Sequence, residues 1–138
     1  QGRGVLALFW LQRVVEWRDR WEPSKRAQNL VKAFTTSGTL YLSAARPDEA
    51  LEAFRNAVLA DPGDFRARFE LGDLLFTTGD TAAAAPHLRR ALELFGEADI
   101  APEMREAVRG TIEKRLAAIA GSPGALLPGT GGDSGDSE

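Results

Sequence analysis

The 138-residue sequence contains no cysteine, one histidine, one methionine and one tyrosine. Without cysteine there is no disulfide framework, no thiolate metal site and no thiol nucleophile. The single histidine, His87, has no second ligand at metal-binding spacing. No serine sits in a G-x-S-x-G elbow, and no glycine-rich phosphate loop precedes a lysine. "GTGG" at 129–132 has neither a strand before it nor a helix after it. These absences argue against an enzyme, and they leave no cofactor, metal or small-molecule substrate to expect.

Long apolar runs are also missing. The longest, "VLALFWL" at 5–11, is too short to span a bilayer. It lacks the small-residue cleavage site of a complete signal peptide, and it has the length of the last turns of a membrane helix begun upstream. The chain opens on Gln1 rather than Met, as a processed chain or a fragment does. Negative charge exceeds positive only slightly, for a net of −3, which argues against nucleic acid as the main partner. The charge is uneven: residues 1–32 hold seven Lys/Arg against three Asp/Glu, or +4, and the remainder ten against seventeen, or −7. Hydrophobic content of 43% with 27% charged residues suits one ordinary globular unit.

No segment alternates at period two, so an all-α fold is expected. Residues 4–22 place Leu6, Trp10, Val14, Trp17 and Trp21 on one stripe, at spacings of four, four, three and four. Pro23 should end that helix, and Ser24 should cap the next, which runs to about Ala44. Pro47 suits the first turn of a third helix, with Asp48 and Glu49 favourable against its dipole; it should stop near Ala60, before "DPGD". Asp64 and Asp80 are candidate caps for helices reaching about Thr77 and Phe95. A last helix over 102–120 carries Met104, Val108, Ile112, Leu116 and Ile119 on one face, with Arg105, Glu106, Arg109, Glu113 and Lys114 expected in water. From Gly121 on, Gly, Ser, Pro and Asp dominate, and a disordered acidic tail over 121–138 is expected.

Sliding the chain by 34 residues brings like onto like. Gly38 meets Gly72, Leu40 meets Leu74, Tyr41 meets Leu75, Ala50 meets Ala84, Phe54 meets Leu88, Arg55 meets Arg89 and Ala57 meets Ala91. This period, with two helices per unit, marks a helical array. The unit 31–64, with Phe34, Gly38, Tyr41, Ala50, Phe54, Ala57 and Pro62, resembles a tetratricopeptide repeat. It departs at Ser37, where a Leu is usual. The unit 65–98 keeps Leu71, Gly72, Ala84, Leu88 and Ala91, but has Arg68 for the large apolar residue and Gly96 for the proline. The expected organisation is therefore an N-terminal Trp-rich amphipathic helix (1–23), two repeats (24–98) and a capping helix (99–120). Gly38, Ala50 and Ala57 are expected to be the points where the two helices of a unit approach, with Phe54 as the knob between them. Residues 1–30 fit no third unit in this register: positions 16, 20 and 23 are Glu, Arg and Pro.

The resemblance implies a protein–protein scaffold whose concave face is built by the first helix of each unit. Carried over by position, Lys32, Thr35, Thr39, Leu42 and Ser43, then Arg66, Phe69, Asp73, Phe76 and Thr77, would line a groove for a partly apolar helix or extended segment. Thr35 and Thr39 stand where Lys and Asn would be needed to clamp a chaperone carboxylate, which argues against that ligand. Phe69 and Phe76 have a second reading, as residues packed on the 102–120 helix. The stripe Leu6, Trp10, Val14, Trp17 and Trp21 has three: docked on the repeats near Tyr41, docked on a partner protein, or an interfacial or membrane anchor. The last would make the chain an accessory subunit of a membrane complex, fixed by residues 5–21. The basic residues Arg13, Arg18, Arg20, Lys25 and Arg26 would then hold the repeats on the cytoplasmic side. The location expected is the cytoplasm or that face of a membrane. Richness in Ala, Arg and Gly is associated with GC-rich bacterial genomes.

Overall fold

In the computed structural model of the protein, the residues described are 2–16 and 23–121. They form six α-helices: α1 (Gly2–Glu16), α2 (Pro23–Ser43), α3 (Pro47–Ala60), α4 (Phe65–Thr77), α5 (Thr81–Leu94) and α6 (Pro102–Ala120), with a 3₁₀ turn at Phe95–Glu97. No strand occurs among the described residues. Trp17, Trp21 and the tail from 122 on lie outside them.

The helix ends follow from local chemistry. Asp64 Oδ1 accepts from the Ala67 amide at 2.9 Å, and Asp80 Oδ1 from the Ala83 amide at 3.3 Å, so each supplies a partner for an orphan N–H of the first turn. Pro47 occupies the first turn of α3, where its missing N–H costs nothing. One cap differs from expectation. Helix α2 opens at Pro23 itself, which places Ser24 inside the first turn; the fixed φ of proline suits that first position as well as any cap before it.

Within each unit the two helices cross at a glycine. A Cβ at Gly38 would clash with the Cε1, Cζ and Cδ1 edge of the Phe54 ring, and one at Gly72 would lie 2.8 Å from Leu88 Cδ2 and 3.2 Å from the Leu88 backbone nitrogen. Ala50, Phe54 and Ala57 are fully buried, and so are Ala84, Leu88 and Ala91. The large residue of the second helix thus seats on the bare backbone of the first, with alanines on either side. Both hairpins turn alike. Arg46 N–H donates to the Tyr41 carbonyl and Asp80 N–H to the Leu75 carbonyl, each at 2.9 Å, across a residue of positive φ. That residue is Ala45 at 59° in the first unit and Gly79 at 98° in the second, the left-handed position of a Schellman motif.

The two hairpins stack through α3 on α4, and the ends are closed by single helices. Helix α6 packs on α5 much as α4 packs on α3, and also touches α4. It therefore occupies the place of the first helix of a further unit. Ile112 and Ile119 are buried, and Val108 and Leu116 pack against the same core. Two residues of α6 differ from expectation. Met104 is 57% exposed, because it lies in the first turn, ahead of the buried stretch. Arg105 is half-buried: it donates to the carbonyls of Phe95 and Ala98, each at 3.2 Å, and lies 4.7 Å from the Phe95 ring centroid. It ties the start of α6 to the 3₁₀ turn.

At the other end α1 packs on α2. Its inward residues include Ala7, Leu8, Leu11 and Val15. A cavity of about 360 Å³ lies between them and the first hairpin, lined by Leu8, Gln12 and Val15 of α1 and by Phe34, Ser37 and Tyr41 of α2, among others. Ser37, at the position where a Leu is usual, turns its hydroxyl onto the Ala33 carbonyl at 2.9 Å.

Candidate partner-binding surfaces

The groove expected from the resemblance would be built by α2 and α4, and the structure divides the residues assigned to it into three groups. Lys32, Thr39, Leu42 and Ser43 of α2 are exposed, as is Arg66 of α4. Thr35 is not part of an open groove: it is 1% exposed, and its hydroxyl donates to the Val31 carbonyl at 2.8 Å. A short β-branched hydroxyl in a helix can satisfy itself on the preceding turn, which lets Thr35 enter the core. Phe69 is half-buried and stacks on Phe65 at 5.8 Å between centroids, while Phe65 meets Phe95 edge-on at 6.0 Å. Phe69 thus belongs to an aromatic cluster with Phe65 and Phe95.

The third group is covered by α6. Arg115 Nε donates to Asp73 Oδ1 at 2.9 Å, and the same guanidinium lies 4.6 Å from the centroid of Phe76. Phe76 lines a cleft of about 290 Å³ together with Thr111, Lys114, Arg115 and Ala118 of α6. Thr77 is exposed, and its hydroxyl is turned onto the Leu74 carbonyl. Of the second-unit residues assigned to the groove, Arg66 and Thr77 are exposed, and Phe69, Asp73 and Phe76 are half-buried. Arg66 lies 3.8 Å from Glu70. Burial raises the Glu70 carboxyl above its usual range, with Arg66 opposing and Asp73 adding to the rise.

Arg68, which stands where the first unit has Phe34, does not line the groove. Its Nε donates to the Pro62 carbonyl at 2.9 Å, and its Nη1 lies 3.0 Å from His87 Nδ1. It holds the loop between the units against α5. Burial first, then the positive charges of Arg68 and Arg55, lower the His87 imidazole below its ordinary value. Among the described residues no group of three His, Cys, Asp or Glu side chains could hold a metal ion.

The largest exposed hydrophobic side chains cluster on α1. Val5 is 71% exposed, Leu6 61%, Phe9 55%, Trp10 61% and Val14 38%. Leu6, Trp10 and Val14, the described part of the predicted stripe, thus face away from the repeats; the residues that meet α2 are the ones between them. The seven-residue apolar run conceals this in sequence, because α1 is apolar on two faces. Among the described residues no helix is long and apolar enough to cross a membrane.

Two stacked helical hairpins, each closed at a glycine, with a single helix at either end, define a short helical-repeat array. Residues 35–102 match the tetratricopeptide repeat family, and the chain belongs to it. Repeats of this family generally mediate protein–protein interaction and are generally non-catalytic. No curated protein matches the sequence.

Proposed function

We propose that the chain is a non-catalytic interaction module that holds a partly apolar helix or extended segment of another protein along the open strip of its concave face. The observation that carries this reading is the exposed row Lys32, Thr39 and Leu42 on α2, continued on α4 by the exposed Arg66, one repeat on from Lys32, and by the half-buried Phe69. A strip with one apolar residue, one aromatic edge and two cations suits a segment that buries a few side chains and carries acidic residues beside them.

A photo-crosslinking residue placed in living cells at position 39 or 42, and for comparison at 89 on the exposed side of α5, tests it. Protein adducts from 39 and 42 but not from 89 are the expected result. Adducts of equal yield from all three positions, or from 89 alone, would remove the concave strip as the binding face.

A further inference from the structure

Helix α1 is apolar on both sides, and the repeats account for only one of them. On the outer face of α1, a contiguous run of exposed apolar side chains marks a surface that meets another apolar surface, its cover. That face is a continuous strip: Val5, Leu6, Phe9, Trp10 and Val14 are all exposed, and Phe9 and Trp10 pack edge-on at 5.8 Å between centroids. Ten residues of helix give it a length of roughly 15 Å. The exposure of these side chains shows that no other described helix lies over this face.

The charge pattern selects the cover. No acidic residue occurs before Glu16, and residues 1–32 carry a net +4 while the rest of the chain carries −7. A second copy apposed through α1 would bring two cationic segments together. An anionic leaflet would attract the cationic end and repel the acidic remainder, which orients the molecule. Aromatic and aliphatic side chains on one face, with arginines in the same short segment, are what a helix lying in the bilayer interface uses.

We infer that the outer face of α1 seats in the interfacial layer of an anionic lipid bilayer, with the repeats projecting into water. This surface is separate from the concave strip, so the two proposals stand or fall independently.

All three tryptophans lie within residues 10–21, which makes intrinsic fluorescence a local reporter. The full chain is titrated with vesicles of phosphatidylglycerol and phosphatidylcholine in equal parts, and with phosphatidylcholine alone, at low and high salt. The expected result is a blue-shifted emission and co-sedimentation with the anionic vesicles, weakened by salt. Phe9→Ser with Trp10→Ser should reduce that partitioning by about tenfold or more while circular dichroism keeps the helical spectrum, since both side chains are solvent-exposed in the folded chain. Absence of binding to anionic vesicles at low salt overturns the inference. So does binding that the double substitution leaves unchanged, because charge alone would then explain it. A wild-type dimer that the same pair dissolves, without vesicle binding, overturns it in favour of a second copy as the cover.

Discussion

Arg68 and His87 face each other across the junction of the two repeats, with Nη1 3.0 Å from Nδ1. A guanidinium can only donate, so His87 Nδ1 must accept and the imidazole must be neutral, with its proton on Nε2. The pair explains a departure from the family pattern: Arg68 replaces an apolar residue because it bridges the Pro62 carbonyl and His87 rather than filling a core position. It also makes folding depend on pH. The His87 value is lowered in the folded chain from an ordinary 6.5, so the unfolded chain takes up a proton first. The stabilisation is complete above about pH 6.5 and is lost as pH falls through that value towards the folded one. Urea midpoints measured at pH 7.5 and 5.5 should therefore fall with acidification, and His87→Gln should flatten that dependence. An unchanged slope in the variant would assign the pH response to other groups.

The glycine crossings predict an asymmetric pair of effects. Gly38→Ala drives a methyl group into the Phe54 ring, and overpacking of this kind costs about 1–3 kcal/mol. Phe54→Ala leaves a void at a fully buried position and should cost about 3–5 kcal/mol. Combining Gly38→Ala with Phe54→Leu should recover part of the first loss, since the smaller side chain vacates the space the methyl needs. Chemical denaturation of the wild type, Gly38→Ala, Phe54→Leu and the double variant, with Phe54→Ala beside them, measures this. Strict additivity would mean that the two residues are not in contact.

Ala45 and Gly79 hold the same turn position one repeat apart, both with positive φ. An L-residue pays for the left-handed conformation where glycine does not. Ala45→Gly should accordingly stabilise the chain by about 0.5–1 kcal/mol, and Gly79→Ala should destabilise it by a similar amount. Thermal melts of the two variants should move in opposite directions from the wild type.

The repeat was legible in the sequence because its signal is local and redundant. Small residues at 38, 50, 57, 72, 84 and 91 recur at a fixed period, and Asp64 and Asp80 announce helix starts that the structure places there. What could not be read depends on which neighbour a side chain meets. The face of α1 is one case: Leu6 and Trp10 share a stripe with Val14, but Leu8, Leu11 and Val15 form an equally good one, and only the position of α2 decides between them. Arg105 is another, since nothing in its own helix shows that the carbonyls of Phe95 and Ala98 lie within reach. Thr35 is a third. Its position in the repeat assigns it to the groove, but its hydroxyl is satisfied by the Val31 carbonyl and the side chain is buried.

The ion pair of Arg115 with Asp73 ties α6 to α4. The two side chains are about one-third exposed, 31% and 33%, so the pair is partly screened and its coupling should be modest, about 0.5–1 kcal/mol in a double-mutant cycle with Arg115→Gln and Asp73→Asn. Its structural effect is larger than that figure suggests, because the same guanidinium covers the Phe76 ring. Arg115→Ala should leave the two hairpins intact, since Ile112 and Ile119 still anchor α6 in the core. It should, however, loosen the last turns of α6 and bare Phe76. Amide exchange would detect this as faster exchange over residues 113–120, with α3 and α5 unchanged. If exchange in that stretch matches the wild type, α6 is held by its apolar residues alone, and the second repeat stays closed to partners whatever the state of Asp73.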